Sequence, residues 1–568
     1  MKFSEMPYVR PDAEALKKEL AALTERLKNA ATYEEAREAF LEEQRVSRSM
    51  ETQATLASVR HSIDTRDAFY DGEEKFWNNV GPELEEYQQA WKAAMLDSGF
   101  RKEFTAEYGD LMFLNAEIAR KCFTPEIIPE MQQENDLVQE YEKLLASAQI
   151  PFEGKTYTLS QLTPLKSDPD DARRLAAWKA DNQWAMEHAA ELDELYDKLV
   201  HLRDTMGKKM GYEGYTTLGY YRMSRNCYTK EDVEKFRTAV QKYLVPVADK
   251  IYRKQAERLG KSYPLSFADM ALEFRSGNPC PVGTPDDILA QGMKFYGELS
   301  PETKVFFRTM LDNELLDVLS TEGKQAGGYC TSLGDYEVPF IFANFNGTQH
   351  DVEVVTHEAG HAFASWTNRK RIPTSYVWPS LEACEVHSMS MEFFAWPWAE
   401  GFFGPDTRKF LYSHLAGALT FIPYGTMVDH FQHIVYEKPD MTPAERNAAW
   451  KELTGIYMPW VKMDDSELSF YTEGRRWQRQ HHIYSSPFYY IDYCLAQTVA
   501  LEFWAMIQKD LGDAWKHYMA YTVQGGSRTF TDLLKNAGLE SPFDESCLRG
   551  VCAAAEQWLD SFDMAGIR

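Results

Sequence analysis

The sequence has no apolar stretch long enough to cross a bilayer: its longest, Leu415 to Val428, is interrupted by Pro423 and falls short of the roughly 20 residues a spanning helix needs. Basic residues are scarce too. Sixty-one Lys and Arg stand against 87 Asp and Glu, a net charge of −26. No Lys/Arg cluster is dense enough to grip phosphates, which argues against a nucleic-acid partner. Eight cysteines are scattered over 568 residues without a C-x-x-C pair, and a chain of this size does not need disulfides, so reduced thiols are expected. The first residues, MKFSEMPYVRPDAEALKKEL, carry no apolar core after the lysine, so a cytoplasmic location is expected rather than secretion. Internal repeats, heptad arrays and low-complexity tracts are also missing.

What is present is mostly helix. Hydrophobic residues make up 44% of the chain and aromatics 14%, enough to bury many rings, and 568 residues exceed what one core usually holds, so more than one lobe is expected. From Pro11 to about Ser147, Ala, Glu, Leu, Lys and Gln dominate and apolar residues recur every three or four positions, which predicts a helical N-terminal region. Pro, Gly, Ser and Asp break this pattern between Ile150 and Asp171 and place a boundary near residue 160, dividing the chain into 1–160 and 161–568. Helical periodicity resumes over Asp171–Leu259 and Pro285–Leu319. The exception is GGYCTSLGDYEVPFIFANFNGT, Gly327 to Thr348, whose β-branched and aromatic content and Gly-Asp turn predict a hairpin. Pro339 in its second run predicts an edge strand. The fold class is mostly α with a small β element.

The stretch DVEVVTHEAGHAFASW, Asp351 to Trp366, carries the chemistry. If Val352 to Asn368 is helical, His357 and His361 lie one turn apart, about 6 Å along the axis and about 40° around it, so one cation can reach both imidazoles. Glu358 stands about 100° from His357, placed to lean over a water rather than to ligate. That is the division of labour in H-E-x-x-H hydrolases, two neutral imidazoles on Zn²⁺ and a glutamate that takes the water's proton. Gly360 lowers helix propensity by about 1 kcal/mol, so a close backbone approach is expected there. A catalytic zinc needs a third protein ligand. Glu382, Glu385 and Glu392, in SLEACEVHSMSMEFFAW, share one face of a second helix, and periodicity does not choose among them. Either of the others could orient an imidazole. His387 lies off that face and reads as structural, Cys384 as core packing, and the pair His430 and His433, without a third partner, as satisfied histidines. Asp351 and Glu353 answer the helix dipole.

Four segments, THEAGHAF, EACEVHSMSMEFF, HHIYSSPFYYIDYCLAQ (His481 to Gln497) and YEVPFIFANF, together resemble the M3 family of zinc metallopeptidases, the thimet oligopeptidase and oligoendopeptidase F group. The resemblance covers roughly residues 160 to 568, which makes 161–568 the catalytic region, and more loosely the helical N-terminal part. It implies a two-lobed helical ellipsoid of zincin type, with a small sheet beside the HExxH helix and one zinc on the floor of a deep channel. Such a channel admits short peptides and excludes folded proteins. It implies Glu385 as the third ligand, Glu358 as general base toward a zinc-bound water, and His482, Tyr490 and Tyr493 as the residues that meet the substrate and its oxyanion. Tyr489 competes with Tyr490, and His481 with His482. An extended peptide can add to a sheet edge through its main chain, either at Gly327–Ser332, which includes Gly328 and Tyr329, or at Val338–Phe345. The implied activity is that of a zinc endo-oligopeptidase. A zinc carboxypeptidase or dicarboxypeptidase shares the metal geometry, and a non-catalytic peptide-binding scaffold would lack a ligand or base that is present here.

Overall fold

A computed structural model of the chain describes residues 1–325 and 327–567. Helix starts follow local chemistry: Asp12 accepts from Ala15 N–H to open α1 (Ala13–Lys28), Thr32 from Glu35 N–H to open α2 (Tyr33–Ile63), and Asp67 from Phe69 and Tyr70 N–H to open α3 (Ala68–Leu96), pairing donors the first turn leaves free. Leu16, Leu20, Phe40, Leu84 and Trp91 form a core between these three. A two-stranded hairpin, β1 (Ile150–Phe152) and β2 (Lys155–Tyr157), precedes the long α4 (Asp171–Lys209) and α5 (Tyr215–Arg222). Capping boxes and a first-turn proline open α6 (Pro285–Leu299) and α7 (Pro301–Asp312). The strands β3 (Leu316–Leu319), β4 (Tyr329–Leu333) and β5 (Val338–Phe345) lead into α8 (His350–Asn368) and α9 (Leu381–Phe394). Beyond them come α10 (Thr407–Glu437), α11 (His481–Ser485), α12 (Tyr490–Ile507) and α13 (Leu511–Thr522).

The chain builds two compact units from interleaved segments. The first comprises Met1–Arg120, Cys280–Thr407 and Met506–Leu539, and the second Lys121–Pro279, Arg408–Ala505 and Glu540–Arg568. The boundary expected near residue 160 falls inside the second unit; the break in composition there marks the β1–β2 hairpin and the turn after it, not a unit border. No helix among the described residues is long and apolar enough to cross a membrane.

The sheet of the first unit has the order β3-β5-β4, with β3 parallel and β4 antiparallel to β5. Two expectations are corrected here. The segment Leu316–Leu319 is a strand and not the end of a helix; α7 stops at Asp312, and a short apolar run fits either state by periodicity alone. β5 is the central strand and not an edge. Pro339 is tolerated because Ile341, two residues on, donates to Leu315 O on the β3 side. Proline's missing N–H would face that same side, before β3 begins at the Leu316–Ile341 pair, so no ladder bond is lost. The edge is β4, with no strand on its other side among the described residues.

The ladder phase follows from the same bond. Ile341 directs its N–H to β3, so its β4 partner, Cys330, belongs to a pair without mutual hydrogen bonds. The N–H and C=O of Cys330, and by alternation those of Ser332, point to the open edge.

Candidate metal centre and active-site residues

Helix α8 packs on β4, β5 and α9, and its approach to α9 is set by Gly360. A Cβ there would stand 2.7 Å from His387 O and 2.7 Å from Ser388 Cα, closer than carbon can come without displacing backbone. The close approach expected of Gly360 is therefore met by the second helix. α9 rests in turn on α13: Tyr518 Oη donates to His387 O (3.0 Å) and Tyr521 Oη to Ala383 O (3.3 Å). His387 itself is buried and both ring nitrogens lack a hydrogen-bond partner in the described structure. Burial, with His361 nearby, pushes it down to about 3, so it is a neutral core residue against Tyr518 and Tyr521.

With the two helices this close, His357, His361 and Glu385 bring one ligand atom each within 4.8 Å of the others. Glu385 Oε2 is 3.4 Å from His357 Nε2 and 3.4 Å from His361 Nε2. Two bonds of about 2.0–2.1 Å at a tetrahedral angle separate their ligand atoms by about 3.4 Å, so distances and donor types both fit Zn²⁺. The Glu385 carboxylate also accepts from Ser388 Oγ (3.1 Å), one turn along α9. Glu392 lies 2.6 Å from His357 Nδ1. A carboxylate in that place holds a proton on Nδ1, so Nε2 is the nitrogen that a cation in the cluster would take in exchange for its proton. Among the three glutamates that periodicity left open, Glu385 is thus in the cluster, Glu392 behind it on the imidazole, and Glu382 outside it, accepting from Ser380 Oγ (2.9 Å).

The electrostatics favour positive charge. Burial opposes a charged His357, but Glu385 and Glu392 outweigh it and raise its pKa well above the usual imidazole range. Glu385, despite burial, is held well below the usual carboxylate range, chiefly by His361. Glu358 is partly buried and takes part in no hydrogen bond or ion pair among the described residues. Its charge, after burial, is the next influence raising the pKa of the Cys330 thiol, which puts the glutamate on the β4 side of α8. Asp351 accepts from Asn346 N–H (2.9 Å) and Gly347 N–H (2.8 Å), tethering the loop between β5 and α8.

The edge strand is tied to α8 by residues that no sequence motif marks. Ser332 Oγ and Ser365 Oγ, the latter one turn beyond His361, are 2.7 Å apart, and Trp378 Nε1 donates to Ser332 Oγ (3.0 Å). None of the three carries a motif; only strand register brings them together. Gly328 is exposed just before β4, where a side chain would press on Phe342 O at 3.2 Å. The Tyr329 ring stacks on Phe342, its direct partner in β5, and its hydroxyl is buried, so that side chain supports the strand rather than facing its edge.

In the second unit, α11, the turn after it and the start of α12 gather the aromatic block. The His482 ring lies 4.9 Å from Tyr490, 5.7 Å from Tyr493 and 5.8 Å from Tyr489, and its Nδ1 is 3.0 Å from Gln480 Nε2. His481 is exposed and turns to Glu142 (3.2 Å). Of the two histidines, His482 therefore joins the tyrosines. Tyr490 packs on Phe421 and Tyr424, and burial raises its pKa far above the usual phenol range. His430 and His433 lie in α10, bonded to Tyr457 Oη (3.1 Å) and Tyr220 Oη (3.0 Å).

Comparison with known proteins places the chain in a family. Residues 3–123 match the Peptidase M3 N-terminal domain and residues 302–551 match Peptidase family M3. PZ peptidase A, solved with an inhibitor, superposes with a TM-score of 0.94 at 43% identity, over 99% of this chain and 100% of that one. The chain belongs to peptidase family M3. A structure assigned as oligoendopeptidase F aligns with this M3 peptidase equally well, with a TM-score of 0.94 at 44% identity over 99% of both chains. Oligopeptidase PepF of Bacillus subtilis (strain 168) is 22% identical over 97% of the M3 peptidase and 85% of its own length. The mostly helical fold with its small sheet is that of the family.

Proposed function

We propose that this M3 peptidase is a cytoplasmic zinc-dependent endo-oligopeptidase that hydrolyses internal bonds of short, unstructured peptides. The observation that carries the reading is the pairing of Glu385 Oε2 at 3.4 Å from both histidine Nε2 atoms with an unpartnered Glu358 next to His357 on α8. His357, His361 and Glu385 would hold one zinc ion per chain, and the ion supplies Lewis acidity at the scissile carbonyl. Glu358 takes a proton from the attacking water as its oxygen bonds to the carbonyl carbon. It returns that proton to the amine as the C–N bond breaks. Glu392 keeps His357 in the tautomer that ligates. A substrate strand laid along β4 finds the main-chain groups of Cys330 and Ser332, with Gly328 at the start of the edge, which gives affinity with little preference for side chains. By family resemblance, His482 and Tyr493 donate to the oxyanion and Tyr490 contacts the peptide.

Two measurements test this. An internally quenched peptide blocked at both ends is expected to be cut; no cutting there, with release of C-terminal residues from an unblocked peptide, would favour a carboxypeptidase. Glu358→Gln is expected to keep zinc by elemental analysis and to lose about 10²- to 10⁴-fold in kcat. Full turnover in that variant removes Glu358 from the mechanism.

A further inference from the structure

The turn between α11 and α12 holds an aromatic residue in an unfavourable conformation. Phe488 has a φ of 67°, in the left-handed region that a bulky residue enters only against steric resistance. It persists because its backbone is gripped on both sides: its N–H donates to Gln432 Oε1 (3.0 Å), and its C=O accepts from Arg225 Nη2. The ring fills a pocket among Tyr215, Tyr220, His433 and Tyr436. Gly219 makes room for it, since a Cβ there would stand 2.7 Å from the Phe488 ring.

The same Arg225 nitrogen also donates to Asp492 Oδ1 (3.0 Å), and Tyr228 Oη donates to that oxygen as well (3.0 Å). Asp492 sits in the first turn of α12, between Tyr490 and Tyr493. Both partners of the ion pair are buried, at 1% and 0% exposure, and the guanidinium lies 4.2 Å from the Tyr220 ring and 5.4 Å from that of Tyr228. At the other end of the segment a second buried arginine, Arg203, donates to Tyr484 O in α11 and is itself fixed by Glu134 (2.6 Å) and Tyr436 Oη (3.0 Å). The loop that carries His482 and the tyrosines is thus suspended between two buried guanidinium groups.

A buried ion pair adds little net stability over apolar residues of similar volume, because desolvation offsets its attraction. What this one does is geometric. A single nitrogen joins a strained carbonyl to the helix turn two to four residues away, so the start of α12 cannot rotate without breaking one of the two bonds. We propose that Arg225 is a positioning residue: through Phe488 O and Asp492 it fixes the orientation of His482, Tyr490 and Tyr493. The proposal rests on the reading that His482 and Tyr493 meet the substrate.

The test compares Arg225→Met, Arg225→Lys, Asp492→Asn and Tyr493→Phe on the quenched peptide, with zinc content and far-UV circular dichroism measured for each. Arg225→Met is expected to lower kcat by about 10- to 100-fold, the scale of a small misplacement of reacting groups, with KM and zinc content little changed. Lysine keeps the charge and has donors for both oxygens but lacks the length and the rigid planar fork that hold the arginine nitrogen between them, so it restores only part of the loss. In Arg225→Met/Tyr493→Phe the two losses are expected not to multiply, since one acts through the other; a purely structural arginine would give multiplying losses and overturn the proposal. If Arg225→Met does not fold, Asp492→Asn carries the same comparison, and wild-type kcat in it overturns the proposal. Reduced kcat in Tyr493→Phe with full kcat in the Arg225 variants sinks the arginine alone. Full kcat in Tyr493→Phe sinks the reading beneath it.

Discussion

Gly360→Ala separates the packing under the metal centre from the ligands themselves. Alanine favours a helix over glycine by about 1 kcal/mol, so on an isolated α8 the change would stabilise. In the folded chain the added methyl stands 2.7 Å from His387 O, 2.7 Å from Ser388 Cα and 3.0 Å from Met391 Cβ, all on α9. Carbon atoms pack at roughly 3.5–4.0 Å, and two of these three obstacles are backbone that cannot rotate aside. α9 must withdraw by an amount on the order of 1 Å. Glu385 and Ser388 ride on α9, whereas ligand distances tolerate only about 0.2 Å. The expected outcome is a net destabilisation of up to about 2 kcal/mol, an overpacking cost of about 1–3 kcal/mol less the helix gain of about 1 kcal/mol. Zinc affinity is expected to fall by about 10-fold or more with every ligand still present. Thermal unfolding of the metal-free protein reads the first and chelator competition the second. A variant more stable than its parent that binds zinc as tightly refutes the tight contact between the helices.

Glu392→Gln is expected to weaken zinc binding by about 10- to 100-fold, since it removes the charged partner of His357 Nδ1, whereas Glu382→Gln leaves it unchanged; equal chelator sensitivity in the two would undo that distinction. A pH effect is expected from Glu502 in α12, which accepts from Glu540 N–H (3.1 Å) and Cys547 Sγ (3.2 Å) and which burial pushes up to about 7. A carboxyl raised in the folded state contributes its stability below its unfolded pKa and loses it as pH rises through about 7. Glu502→Gln imitates the protonated form, so its melting temperature should pull ahead of the parent's between about pH 5 and 8, by the equivalent of about 1–3 kcal/mol; parallel curves across that range contradict it.

The helical class and the histidine pair were legible because a 3.6-residue period and an i,i+4 spacing are local properties of the chain. The need for a close approach at Gly360 was legible for the same reason. The place of β5 was not, since strand order depends on β3, and Leu316–Leu319 is too short for its period to be read. Periodicity could not tell Glu382, Glu385 and Glu392 apart, since all three sit on one face, and only the family resemblance pointed to Glu385; the rotation of α9 against α8 puts Glu385 3.4 Å from both Nε2 atoms and Glu392 2.6 Å from His357 Nδ1. Arg225 had no signal at all. It is 267 residues from Asp492, and nothing in its own neighbourhood marks it as the anchor of a distant turn.

The interleaving of the two units also sets an order of events during synthesis. α9 leans on Tyr518 across 131 residues of sequence, and at about 5–20 residues per second the ribosome delivers that tyrosine on the order of ten seconds after Glu385 has emerged. For that interval α8 and α9 are without the helix that backs them. The cluster proposed to hold zinc therefore reaches its final packing only after Tyr518 has emerged, well after His357, His361 and Glu385 themselves, and a nascent chain halted before that tyrosine lacks the support of α9.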